Sequence, residues 1–125
     1  MSYRCCGLRG ATTVPENNIP AILEATTELL NALVAANNLQ EKEIASIFFS
    51  ATPDLDAAYP AIAARQLGWT HTALLCTQEM AVAGSLPRCI RVLLHWNTDR
   101  TNDQIHHIYL RNAAQLRPDL AAEQT

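Results

Sequence analysis

Leu74-Leu75-Cys76-Thr77-Gln78-Glu79-Met80, followed after a small-residue loop by Cys89-Ile90-Arg91-Val92-Leu93-Leu94-His95-Trp96, is the stretch that decides the fold. Both apolar runs read as strands. In the second, Ile90, Val92, Leu94 and Trp96 alternate with Cys89, Arg91, Leu93 and His95, so one face is core and the other carries a guanidinium. Glu79 closes the first strand as its only acid. Charge buried in apolar strands costs several kcal/mol unless it is paired or solvated, so a pocket with its own chemistry is expected here. The connection over residues 78–87 is longer than a tight hairpin needs, and its small residues around Gly84-Ser85 permit close backbone approach or movement.

Outward from this pair, residues 3–9 read as a strand with Tyr3, Cys5, Gly7 and Arg9 on one face and Arg4, Cys6 and Leu8 on the other, ending at Gly10-Ala11-Thr12-Thr13. Asn17-Asn18-Ile19-Pro20 starts a helix, with an asparagine cap and a first-turn proline, and Asn37-Asn38 suits its exit. Between them Ile19, Ile22, Leu23, Thr26, Leu29, Leu30, Leu33 and Val34 form an apolar stripe. Residues 44–50 are a continuous apolar run, expected as a central strand covered on both faces. After the turn at Thr52-Pro53-Asp54, Pro60 opens a short helix with Arg65 near its end and Gly68 as its stop. Strands are then expected over 70–77, 88–97 and 105–110, with a polar turn at Arg100 to Asp103 and a helical turn over 111–116.

This order describes a single domain over residues 1–125 of the α/β (α+β) class: a mixed five-stranded sheet packed with one long helix and one short helix, with 118–125 expected as a mobile tail. One long helix covers only part of one sheet face, while several strands look apolar on both. A homo-oligomer is the economical cover, with pockets between subunits.

Composition narrows the chemistry. A net charge of −3, with 17% charged residues in 125, argues against nucleic acid and anionic membrane as partners. Eight arginines stand against one lysine, Lys42. Arginine is the residue of fixed, bidentate carboxylate or phosphate recognition, so a small anionic ligand is expected. Four cysteines without ligand spacing, no signal-peptide pattern and no apolar run judged long enough for a membrane point to a reduced, cytoplasmic protein. His71, His95, His106 and His107 have no partner at ligand spacing, so no metal is expected. There is no Gly-rich phosphate loop, nucleophile elbow or HExxH motif. Cys76 reads as an inert small hydrophobe rather than a thiolate, and Glu79 has no second acid or histidine placed to share a proton. What remains is a set of arginines, one glutamate and one tyrosine, suited to passive anion binding or to a reaction needing only positioning and electrostatics.

Six strings in register carry a resemblance over nearly the whole chain. Leu8-Arg9-Gly10-Ala11-Thr12-Thr13-Val14, Ser50-Ala51-Thr52-Pro53-Asp54-Leu55, Gln78-Glu79-Met80, Cys89-Ile90-Arg91-Val92, His107-Ile108-Tyr109-Leu110 and Leu116-Arg117-Pro118-Asp119-Leu120 resemble the monofunctional trimeric chorismate mutases. The resemblance implies a homotrimer with a barrel-like core and three sites at subunit interfaces. It also implies the cofactor-free Claisen rearrangement of chorismate, a dianion, to prephenate in phenylalanine and tyrosine biosynthesis. By the same resemblance Arg91 is the cation at the breaking ether bond, and Glu79 the partner of Arg91 and of the ring hydroxyl. Cys76 is a further contact at that hydroxyl, and Arg9 and Tyr109 bind the side-chain carboxylate. Tyr59 and Leu116 line the pocket, while Arg65 of the neighbouring subunit and Arg117 stand at its mouth. Ile62 and Leu75 depart from the family pattern, where a lysine and a polar residue can occur. The alternatives are a non-catalytic trimeric small-anion module and a protein like the trimeric enamine/imine deaminases, whose architecture is similar.

Overall fold

Asn18 stops the extended chain ahead of the long helix. Its side-chain oxygen accepts from the Ala21 N–H at 2.8 Å, and Pro20 occupies the first turn, where an N–H is not missed. The computed structural model describes residues 3–116, and in it this helix, α1, spans Ile19–Asn37. It ends on Asn38 in the left-handed conformation (φ 53°), whose N–H returns to the Val34 carbonyl. Ile22, Ala25, Thr26, Leu29, Leu30 and Leu33 are buried, while Ile19 remains exposed beyond the sheet. Each fully buried leucine contributes about 1.5–3 kcal/mol relative to exposure.

By length and composition alone, α1 meets the requirement for a membrane span, contrary to the expectation drawn from the sequence. Its stripe is instead applied to a sheet built from β1 (Arg4–Thr13), β2 (Ile44–Ala51), β3 (Ala73–Gln78), β4 (Cys89–Thr98) and β5 (Ile108–Tyr109). The strand order is β3-β2-β4-β1-β5. β4 runs antiparallel to both β1 and β2, and the β2/β3 and β1/β5 pairs are parallel. The crossover from β1 to β2 is α1, and that from β2 to β3 contains α2 (Ala61–Gln66), which starts at Pro60 and is followed by Gly68 at φ 92°.

Four sequence expectations are corrected. β1 does not stop at Arg9 but continues to Thr13, because its antiparallel ladder with β4 runs on through Thr13↔Cys89, and Gly10 is where α1 presses on the sheet. A Cβ there would lie 3.1 Å from methyl groups of both Leu29 and Leu33. The centre of the sheet is β4 rather than β2, and β2 is covered on one side only: Ile44, Ile47 and Phe49 are buried while Phe48 is 39% exposed. The strand expected over 70–77 begins only at Ala73, because Glu41 holds the preceding chain by accepting from the His71 N–H and the Thr72 hydroxyl. The last strand shrinks to two residues. The His107 ring takes the place of a ladder acceptor, its Nδ1 receiving the Arg9 N–H at 3.0 Å. Asn37 then clamps the segment from the helix side, donating to the His106 carbonyl and accepting the His106 N–H. Arg117 and the tail expected over 118–125 lie outside the described residues.

Candidate active site

Strand register assembles the site. On the sheet face away from α1, one row reads Leu75, Phe48, Leu93, Arg9 across β3, β2, β4 and β1. The next row reads Thr77, Ser50, Arg91, Ala11, Tyr109 across all five strands. The first row is an apolar floor left open, with Leu75, Phe48 and Leu93 exposed by 52%, 39% and 37%. The second row carries the polar chemistry. At its far end Tyr109 packs with Ala11 and Ala113, flanked by Leu86 and Leu116.

Between the two rows lies an open cleft of about 530 Å³, lined among others by Arg9, Ser50, Thr77, Arg91, Tyr109 and Leu116. Glu79 stands at its edge, one residue beyond β3, where its N–H donates to the Ala51 carbonyl. The carboxylate is fixed through one oxygen: Oε2 accepts the Ser50 hydroxyl at 2.8 Å and lies 3.5 Å from Arg91 Nε. The Arg91 side chain is 47% exposed and that of Glu79 29%, so the charges suspected of burial in apolar strands are paired and half solvated instead.

The start of β4 is held tightly. Asp54 accepts the Arg88 N–H at 2.9 Å, and Thr52 bridges them, receiving the Cys89 N–H at 3.0 Å while donating to Asp54. Arg88 adopts φ 45°, a conformation disfavoured for a side chain with a Cβ, and its Nε is tied to the Val14 carbonyl. Asp54, read from the sequence as a turn former, is thus what anchors the strand carrying Arg91. Burial pushes the Cys89 thiol above its usual pKa, with the Arg91 charge pulling it partly back, so this thiol remains protonated at neutral pH. Among the described residues, no group of three or more His, Cys, Asp or Glu is arranged to hold a metal ion.

The expected site residues divide between places. Arg9, Arg91, Tyr109 and Leu116 meet in the first cleft, with Glu79 at its rim. Cys76 does not join them: it alternates to the face of β3 that packs on the core, and lines a second cleft of about 540 Å³ with Tyr59 and Ile62. Arg65 lies in neither, but at the end of α2 beside Trp69 and Thr72. Thr77 borders both clefts. Ser50 and Thr77 were not singled out by sequence reasoning. Only the pairing of β2 with β4 puts Ser50 opposite Arg91, and a serine at the end of an apolar run gives no signal of that.

Comparison with known proteins follows the same lines. Residues 5–120 match the family model described as chorismate mutase type I. The chain is 50% identical over 119 residues to chorismate mutase AroH of Thermus thermophilus, covering 94% of this chain and 98% of that protein. It is 44% identical over 116 residues to chorismate mutase AroH of Bacillus subtilis, covering 92% and 91%. Among solved structures, a chorismate mutase from Clostridium thermocellum superimposes with a TM-score of 0.87 at 50% identity, over 88% of this chain and 98% of the other. The chain belongs to the type I chorismate mutase family.

Proposed function

We propose that this chorismate mutase rearranges chorismate to prephenate in the cleft over the Thr77-to-Tyr109 row, and that a second subunit completes that cleft. The reaction is unimolecular. The ether C–O bond breaks as a C–C bond forms, with negative charge building on the ether oxygen, and no proton transfer or covalent intermediate is required. Arg91 answers that charge. Its guanidinium is directed toward the cleft by its place in the central strand, with Glu79 beside it, so little reorganisation accompanies the reaction. Arg9 and Tyr109, brought to one side of the cleft by the β1/β5 pairing, bind the side-chain carboxylate and keep the enolpyruvyl group folded over the ring. Glu79 receives the ring hydroxyl.

The observation that carries the reading is the convergence of Arg9, Arg91, Tyr109 and Leu116 on one cleft, with Glu79 paired to Arg91 at its rim. It supports a trimer as well. A half-exposed guanidinium is screened by water, and its effect on developing charge grows once the site is covered. The floor of Leu75, Phe48 and Leu93 is left without cover in one chain, and Tyr59 and Cys76 line a separate cleft of similar size. A neighbouring copy that brings its Tyr59 and Cys76 cleft against the first would supply the missing wall, with Arg65 and Arg117 at the mouth. A single-domain, cytoplasmic enzyme is part of this proposal; α1 applying its stripe to the sheet supports the single packed domain. Following the ultraviolet absorbance of chorismate with the purified protein tests it. The expected result is cofactor-independent conversion to prephenate, and binding without turnover would replace it with the passive anion module.

A further inference from the structure

We infer that Ser50 is a positioning residue for the reaction, acting through Glu79. The inference rests on the proposed role of Glu79 at the ring hydroxyl. A carboxylate on a short strand end has two free torsions beyond χ1, and an ion pair with a half-exposed arginine does not fix them, because such pairs are weak and geometrically loose. At 3.5 Å the Arg91 contact is a long one. The Ser50 hydroxyl bond at 2.8 Å is the shorter constraint on the acid, and a hydrogen bond to a charged acceptor is stronger than one between neutral groups.

The placement follows from the sheet. Ser50 is paired with Arg91 on one side and with Thr77 on the other, two residues before Glu79, so β2 stands between the strand bearing the cation and the strand leading to the acid. Its hydroxyl therefore gathers the two charges at one point. Both contacts use Oε2, and among the described residues Oε1 has no hydrogen-bond partner. The serine thus decides which oxygen is committed to the protein and which remains for a donor on the substrate. A serine has one proton to donate, and here it goes to the carboxylate. Without that bond the carboxylate can rotate so that both oxygens engage Arg91, withdrawing the acceptor from the ring hydroxyl and neutralising the cation needed at the ether oxygen.

The test is a double-mutant cycle on the purified protein, with chorismate loss followed by absorbance and rates referred to folded protein. Glu79→Ala must first lower turnover; if it does not, the reading of Glu79 fails, and this inference with it. Given that loss, Ser50→Ala is expected to lower kcat about tenfold, the equivalent of one hydrogen bond to a charged group, and to change KM less than kcat. In the Glu79→Ala background the same change is expected to cost less than about twofold, since its partner is gone. Ser50→Thr, which keeps the hydroxyl and suits a strand, is expected to recover most of the lost rate. Equal losses in the two backgrounds, a Ser50→Ala rate within about twofold of the parent, or no recovery with threonine each overturn the proposal, since a serine that merely packs would behave in those ways.

Discussion

Strand β4 shows two surroundings within one alternation. Toward α1, Ile90, Val92, Leu94 and Trp96 are all at most 3% exposed, closed off by β-neighbours and by the leucines of the helix. Toward the other side, Arg91, Leu93 and His95 remain open, with His95 bonded to Ser46 and packed edge-on against Phe48. The same backbone therefore buries one face for stability and leaves the other open for the proposed chemistry. The covered face is completed by its own chain, whereas the open face ends in a cleft and an apolar floor that one chain leaves exposed.

The sharpest way to break this division is to exchange the two kinds of loss. On the covered face Trp96 is fully buried, donates its indole N–H to Glu43 and lies under the Arg100 guanidinium. Trp96→Ala is expected to lower unfolding free energy by about 3–5 kcal/mol, seen as a lower denaturation midpoint. The fraction that remains folded should still turn over chorismate. On the open face Arg91→Ala is expected to lower kcat by about 10²–10³-fold, as loss of a preorganised charge-stabilising donor does. Its unfolding free energy should stay within about 0.5 kcal/mol of the parent, read from the denaturation midpoint. An Arg91→Ala protein with near-normal turnover would sink the mechanism, and a collapse of its stability would erase the distinction between the faces.

A third change probes the floor. Leu93 sits between Phe48 and Arg9 in the open row and contributes apolar surface that the proposed trimer would bury. Leu93→Asp places a charge where it would be desolvated without a partner, so sedimentation should show the mass falling from three chains toward one, with turnover lost in parallel. A parent that sediments as a single chain with full activity would show that one chain forms the complete site.

These tests separate what the amino-acid order displays from what only pairing creates. The α1 caps, its leucine stripe, the short helix after Pro60 and the alternation of β4 are local, and each was legible because one residue type has one physical reason to stand there. The strand order was not legible, since nothing in residues 44–50 says that Phe48 faces outward; an apolar run looks the same whether its second face is covered by its own chain or by another. Arg91 and Glu79 stood out as charges in apolar surroundings. Ser50, Thr77 and the anchoring role of Asp54 did not, because their meaning comes from register across strands distant in sequence. Cys76 was placed at the ring hydroxyl by the family resemblance alone; within one chain it lines the second cleft, so its role in the site depends on a neighbouring copy.

The smallest expected effect lies where the two faces meet, at Cys89. It shares the Arg91 side of β4 yet is buried, and burial raises its thiol pKa above the ordinary 9.0, with Arg91 only partly offsetting the rise. In the unfolded chain the thiol ionises near its ordinary value, while the folded protein still retains the proton. Above about pH 9 the unfolded state therefore binds fewer protons than the folded one, and stability falls as pH rises, after being constant with respect to this group below that value. Cys89→Ala removes the group. Its unfolding free energy should run parallel to that of the parent from pH 7 to 8 and then decline less steeply toward pH 10, as read from denaturant midpoints. Parallel curves throughout would mean that the thiol ionises as readily folded as unfolded. The open face would then admit water as far as the start of β4, and the site would be more solvated than the geometry around Arg91 implies.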